Sequence, residues 1–197
     1  MFIKSYVALI LDKSGSMQSI QKEALSNFNE QLQTLKAQSN APEEIAKKML
    51  LTGQQNIEGV ETRISIITFN ENVDTLFFDK DVTEIEELKT EDYQPNGMTA
   101  LIDAMGSTID QFTATYTDLN DPDVGVLFVI ITDGMENSSK KYTKEQVKSK
   151  VEELQASKKW TFTFLGANID VWSAATQDLG ILKGNTVSWA STSSGTV

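Results

Sequence analysis

The chain has 197 residues, 40% of them hydrophobic and 23% charged, enough for one sizeable domain with its own core. It contains no cysteine and no histidine, which excludes disulfides, thiolate metal sites, His-ligated zinc and any mechanism with an imidazole base. Its net charge is −11 and its 17 basic residues are scattered rather than striped, against nucleic-acid binding, and no apolar run approaches the ~20 residues of a membrane-spanning helix.

The first residues, Met1-Phe2-Ile3-Lys4-Ser5-Tyr6, run straight into a strand without the pattern of a signal peptide. With the acidic surface, this reads as a cytoplasmic protein. Residues 3–11 form a nearly continuous apolar run, as expected of a strand in a sheet covered on both faces. From Met17 the spacing turns helical, with Ile20, Ala24, Phe28, Leu32 and Leu35 on one face. Pro42 opens a second short helix over 42–51, closed by Gly53; the segment 37–59 is thus a helix-bearing insert before the second strand, 62–69. Asn70-Glu71-Asn72 is a turn leading into a hairpin strand over 73–78. Thr83 and Glu86 have capping-box spacing and predict a short helix over 83–88.

After Pro95-Asn96-Gly97-Met98 a helix is expected from about Thr99, burying Leu101, Met105, Thr108, Phe112 and Tyr116. Residues 124–132 are the most apolar strand and the expected centre of the sheet. Thr143 and Gln146 cap the next helix, with Val147, Val151 and Leu154 inward. A strand over 160–165, a helix over 170–179 closed by Gly180, and an edge strand over 186–190 complete the pattern. Alternating strands and helices predict a doubly wound α/β domain over 1–190. Its central sheet is mostly parallel with one antiparallel edge strand and helices on both faces, and 191–197 is a flexible tail.

In such folds ligands bind at the carboxyl ends of the strands. Asp12-Lys13-Ser14-Gly15-Ser16 follows the first strand, Thr132-Asp133-Gly134 ends the central one, and Gly97-Met98-Thr99 opens a helix. All three segments are expected on one rim. The carboxylate and two hydroxyls of Asp12, Ser14 and Ser16 form a poor set for zinc or copper and a good partial shell for a hard cation that keeps some of its waters, a shell that the other two segments could complete. Each element also has an ordinary reading: Ser14 as a helix cap, Thr99 as an N-cap, Asp133-Gly134 as a turn. Their joint occurrence, in order, favours the metal reading. Met135-Glu136-Asn137-Ser138-Ser139-Lys140-Lys141 borders the rim as a solvated loop, and Gly166-Ala167-Asn168-Ile169-Asp170 ends another strand there, with Asn168 in a turn and Asp170 a helix cap.

The ordered set Asp12-x-Ser14-x-Ser16, Thr99 and Asp133 resembles the metal-ion-dependent adhesion site of von Willebrand factor A (vWA) domains, over almost the whole chain. The wording around it (Leu-Asp-Lys-Ser-Gly-Ser-Met, Gly-Met-Thr-Ala-Leu, Thr-Asp-Gly-Met-Glu-Asn) resembles stand-alone bacterial or phage members. The resemblance implies a Rossmann-like fold in which Ser14 and Ser16 bind the metal directly. It implies that Thr99 binds directly in one state, and that Asp12 and Asp133 act directly or through water. It also implies a protein partner whose Asp or Glu fills the open position. Mg²⁺ suits the site by its small size and water retention, with Mn²⁺ or Ca²⁺ served by the same oxygens.

The leading reading is therefore a divalent-metal-dependent protein-binding module without catalysis. A metal-assisted hydrolase with Ser14 as nucleophile is the first alternative, but no histidine, Gly-x-Ser-x-Gly elbow or phosphate loop supports it. The second is a structural or assembly protein acting through the 37–59 insert.

Overall fold

The computed structural model describes residues 2–40, 59–133, 136–167 and 174–188. Its first element, β1 (Phe2–Asp12), is an apolar strand whose alternate side chains enter two different cores. Tyr6, Ala8 and Ile10 pack on one face of the sheet, and Val7, Leu9 and Leu11 on the other. That is the property expected of a strand covered on both sides. A turn of 3-10 helix, Gly15–Ile20, leads into α1 (Gln21–Asn40). The predicted face of Ile20, Ala24, Phe28, Leu32 and Leu35 is the buried one.

β2 (Gly59–Phe69) pairs in parallel with β1, and β3 (Val73–Asp81) folds back on β2 as the antiparallel edge strand. The next helix, α2 (Leu101–Thr115), buries Leu101, Met105, Thr108 and Phe112, with Tyr116 just beyond its end. β4 (Val124–Thr132), α3 (Lys144–Ala156), β5 (Trp160–Gly166) and the short parallel strand β6 (Thr186–Ser188) follow. The six-stranded sheet has the order β3-β2-β1-β4-β5-β6. β1 and β4 are thus its centre, as the apolar composition of 124–132 predicts. Thr143 and Gln146 form the expected capping box at the start of α3.

The two cores are unequal in their helical cover. α2 and α3 supply one, where Phe112, Phe128, Trp160 and Phe162 stack in tilted and edge-on pairs. α1 and the segment after β3 supply the other, through Phe28, Leu32, Ile85 and Tyr93.

Three expectations are corrected. The segment 83–88 is no helix: a single 3-10 turn, Val82–Glu84, is capped by Asp81, whose carboxylate accepts from the Thr83 amide at 2.9 Å. Ile85 and Leu88 are then needed as buried cover for the sheet, and an extended path delivers both. α2 starts at Leu101 with Ala100 as N-cap, two residues later than expected, because Thr99 is held in loop contacts described below. The segment 37–59 is shorter as an insert than its predicted bounds, since Ala37–Asn40 still belong to α1 and Gly59 already belongs to β2. The helix over 42–51 and the tail 191–197 lie outside the described residues. So do residues 170–173 of the helix expected over 170–179; of its remainder, Ala174–Asp178 form a π-helical turn.

Candidate metal centre

In this strand order the chain runs outward from β1 to β2 and β3 on one side, then from β4 to β5 and β6 on the other. The crevice between β1 and β4 is the switch point at which such sheets bind ligands. Asp12 ends β1 and Asp133 directly follows β4.

Asp12 is completely buried. Its Oδ1 accepts from the Ser14 amide at 2.7 Å, and its Oδ2 accepts from the Thr132 hydroxyl at 2.5 Å. The Tyr93 hydroxyl donates to its carbonyl oxygen at 2.5 Å. Burial pushes the Asp12 carboxyl up to about 6, against the lowering effect of the Thr132 and Ser14 hydrogen bonds, and the nearby charge of Asp133 adds to the rise. Burial also raises the half-buried Asp133, partly offset by its bond from Ser16. Among the described residues no lysine or arginine forms an ion pair with either carboxylate.

Ser14 occupies the N-cap position of the 3-10 turn but makes no side-chain cap bond. Its buried hydroxyl instead meets that of Ser16 at 3.1 Å, and Ser16 donates to Asp133 Oδ1 at 2.8 Å. The ordinary capping reading of Ser14 therefore fails. Asp12, Ser14, Ser16 and Asp133 are brought into one hydrogen-bonded group.

Thr99 joins the rim through backbone contacts. The Gly15 amide donates to the Gly97 carbonyl at 3.0 Å, and the Asn96 amide donates to the Lys13 carbonyl at 2.8 Å, which ties the two loops together. Gly97 has φ +78°, a left-handed conformation that glycine takes without cost. Gly15 serves differently: a Cβ there would come within 3.3 Å of the Gly97 carbonyl. Thr99 is buried, and its amide donates to Asn137 Oδ1 at 2.8 Å while its carbonyl accepts from the Asn137 and Ser138 amides. No hydrogen bond joins its hydroxyl to the other four residues among the described residues.

Residues 136–142 are more tightly held than a solvated loop. Glu136 Oε2 accepts from the Ile102 amide at 2.9 Å, and its Oε1 accepts from the Ser138 and Ser139 amides. Asp103 accepts from the amides of Lys140, Lys141 and Tyr142. On the β5 side, the Ala167 amide donates to the Thr132 carbonyl, while Asn168 and Asp170 lie outside the described residues.

Sequence reasoning missed Thr132, Tyr93, Asn137 and Glu136. The first had a signal, an oxygen-bearing residue at the last position of an apolar strand. Tyr93 had none, because its contact joins residues 81 positions apart.

The donor set fits a hard cation. Hydroxyl and carboxylate oxygens of Asp12, Ser14, Ser16 and Asp133 lie in one hydrogen-bonded group, and oxygen donors of this kind suit such an ion.

No family model and no curated protein matches this chain. Solved structures do. One is proximal thread matrix protein 1 from the mussel byssus, 16% identical with a TM-score of 0.55 over 96% of this chain and 44% of that one. Another structure of that mussel protein has a zinc-occupied metal-ion-dependent adhesion site, at 16% identity, TM-score 0.52 and the same coverage. The vWF domain of the type V pili tip protein Mfa5 from Porphyromonas gingivalis is 13% identical, with a TM-score of 0.53 over 95% of this chain and 90% of that one. The chain spans less than half the length of the mussel protein. At these identities the likeness is one of architecture, and the chain has the von Willebrand factor A fold.

Proposed function

We propose that this chain is a divalent-metal-dependent protein-binding module, and that a partner's Asp or Glu is recruited through the metal. The observation that carries the reading is the Ser14 hydroxyl: at a cap position it leaves the cap unmade and turns to Ser16 and, through it, to Asp133. Asp12, Ser14, Ser16, Thr99 and Asp133 would hold the ion. When bound, a hard divalent ion supplies an electrophilic position for an incoming carboxylate. Asp12 supplies buried negative charge, oriented by Thr132 and the Ser14 amide. Gly97 and Asn137 place the Thr99 segment beside the rim. Mg²⁺ is the proposed ion, with Mn²⁺ or Ca²⁺ as alternatives, and the zinc-occupied site of the mussel protein supports a divalent ion on such a rim. A cytoplasmic setting is part of the same proposal.

A non-catalytic role is favoured over a hydrolase by Lys13. It is the lysine adjacent to Ser14 in sequence, and its ammonium forms an ion pair with Asp74 on β3. The similar structures, a byssus thread matrix protein and a pilus tip protein, support the same reading.

The test is affinity capture from the native host lysate in Mg²⁺ and in chelator, with Asp12→Ala as control and Mg²⁺-dependent thermal stabilisation measured alongside. A partner held only by the wild-type protein in Mg²⁺ supports the module. A partner held equally in all three conditions, with no thermal shift on adding Mg²⁺, sinks it.

A further inference from the structure

The edge strand β3 has a second feature that the metal site does not use. Leu76 and Phe77 are adjacent and both are large exposed apolar residues, at 41% and 39%. Neighbouring residues of a regular strand point to opposite faces, but here the β2–β3 register is irregular. Ile66 pairs with Phe77 and Ile67 with Thr75, so Leu76 is the extra residue of a bulge. Both side chains thereby line one groove of about 640 Å³ between β3 and the segment 84–92.

The floor of that groove is firm, because Ile85 and Leu88 are buried in the core on the α1 side. Its rim is acidic. Glu84, Glu86, Glu87 and Asp92 line it against a single Lys89. Glu87 accepts from Gln33 Nε2 at 2.7 Å and Asp92 accepts from the Lys89 amide at 3.0 Å, which hold the rim in place. Glu84 and Glu86 make no hydrogen bond or ion pair among the described residues. On β3 itself the run Thr75-Leu76-Phe77-Phe78 carries no charge, although charges are the common protection of an exposed edge strand.

An exposed apolar pair set in a concave, like-charged rim marks an interaction surface. A second copy of this chain is an unsuitable occupant, since each copy carries a net charge of −11 and the approach of two acidic rims is repulsive. We infer that this groove docks a cationic amphipathic segment of a protein partner, with apolar side chains on Leu76 and Phe77 and lysine or arginine against Glu84, Glu86, Glu87 and Asp92. The bulge interrupts the strand edge, so recognition is through side chains rather than through an added strand. The surface is distinct from the metal rim and does not depend on it.

The probe is a fluorescein-labelled seven-residue peptide alternating lysine and leucine, titrated with the full chain in ~150 mM salt, near physiological ionic strength, with EDTA present so that the metal site is silent. Fluorescence anisotropy is expected to show saturable binding, weakened about tenfold or more by Phe77→Asp and by the double variant Glu84→Lys/Glu86→Lys. A peptide with glutamate in place of lysine is expected not to bind. Circular dichroism confirms that the variants, all at exposed positions, keep the fold, and Leu76→Ser is a milder second probe of the apolar contact. Absence of saturable binding, equal binding by the charge-reversed variant, or equal binding of the glutamate peptide would overturn the proposal. Because EDTA is present throughout, these results are independent of the metal reading.

Discussion

The Ser16 hydroxyl donates to Asp133 Oδ1 at 2.8 Å, joining the turn after β1 to the turn after β4 across 117 residues of sequence. The bond closes the crevice of the sheet's switch point over a fully buried carboxylate, that of Asp12. Much of the behaviour expected of this protein follows from that burial.

The pH dependence of the metal-free protein is the first consequence. Asp12 has its folded pKa raised from 3.8 to about 6 by burial. Its contribution to stability is therefore fully present below pH ~4 and is lost as pH rises through about 6. The loss is on the order of 3 kcal/mol, because each pH step between the unfolded and folded values is worth about 1.4 kcal/mol. Asp133 is raised as well and acts in the same sense. Asp79, Asp81 and Asp110 are held low by hydrogen bonds from Arg63, Thr83 and Lys150, and their contributions change only below pH ~4. Urea denaturation in EDTA should show lower stability at pH 7.5 than at pH 5, and Asp12→Asn should flatten most of that slope. Saturating Mg²⁺ should remove it too, because a bound cation favours the ionised carboxylate. A wild-type protein equally stable at both pH values in EDTA would contradict the burial argument.

Thr132 holds the Asp12 carboxylate in place at 2.5 Å. Thr132→Val keeps the shape of the side chain and deletes the donor, leaving a buried acceptor short of a partner. The expected cost is about 1–3 kcal/mol, with divalent-metal affinity down roughly 10- to 100-fold, as for other residues that orient metal ligands. Calorimetric titration with Mg²⁺ reads the affinity. Thr132→Ser, which restores the hydroxyl, should recover most of it, and a valine variant that binds like wild type would remove Thr132 from the site.

Gly97 is tested by Gly97→Ala. Its φ of +78° is unfavourable for any residue with a Cβ, and that atom would clash with the carboxylate of Glu71, which accepts from the Met98 amide. Glu71 can move, so the backbone conformation sets a cost of about 1–2 kcal/mol. The variant should lower the denaturation midpoint and weaken Mg²⁺ binding, since Gly97 carries the carbonyl that receives the Gly15 amide. An unchanged midpoint would contradict the strain argument.

Glu136 anchors the loop after β4 to the start of α2, where negative charge is also favoured by the helix dipole. Glu136→Ala should cost about 1–2 kcal/mol, in the range of a charge-assisted hydrogen bond, and free the Asn137 clamp on Thr99. Hydrogen exchange at the Thr99 and Asn137 amides should accelerate, while amides in the middle of β1 keep their protection. Unaltered exchange at Thr99 would show that the clamp is independent of Glu136.

Sequence alone determined the alternation of strands and helices, the central position of 124–132, the buried faces of α1 and α2, and the placing of Asp12 and Asp133 at strand ends. These are local properties: apolar periodicity and turn chemistry act over a few residues and are readable without knowing what lies opposite. The tertiary structure decided what local pattern cannot encode. It turned 83–88 from a predicted helix into extended cover, because Ile85 and Leu88 are needed over the sheet. It moved the start of α2 past Thr99, because Asn137 from a distant loop clamps that residue. It also gave Asp12 its partners in Thr132 and Tyr93, since a carboxylate removed from water must be satisfied by whatever donors the fold brings to it, from however far along the chain.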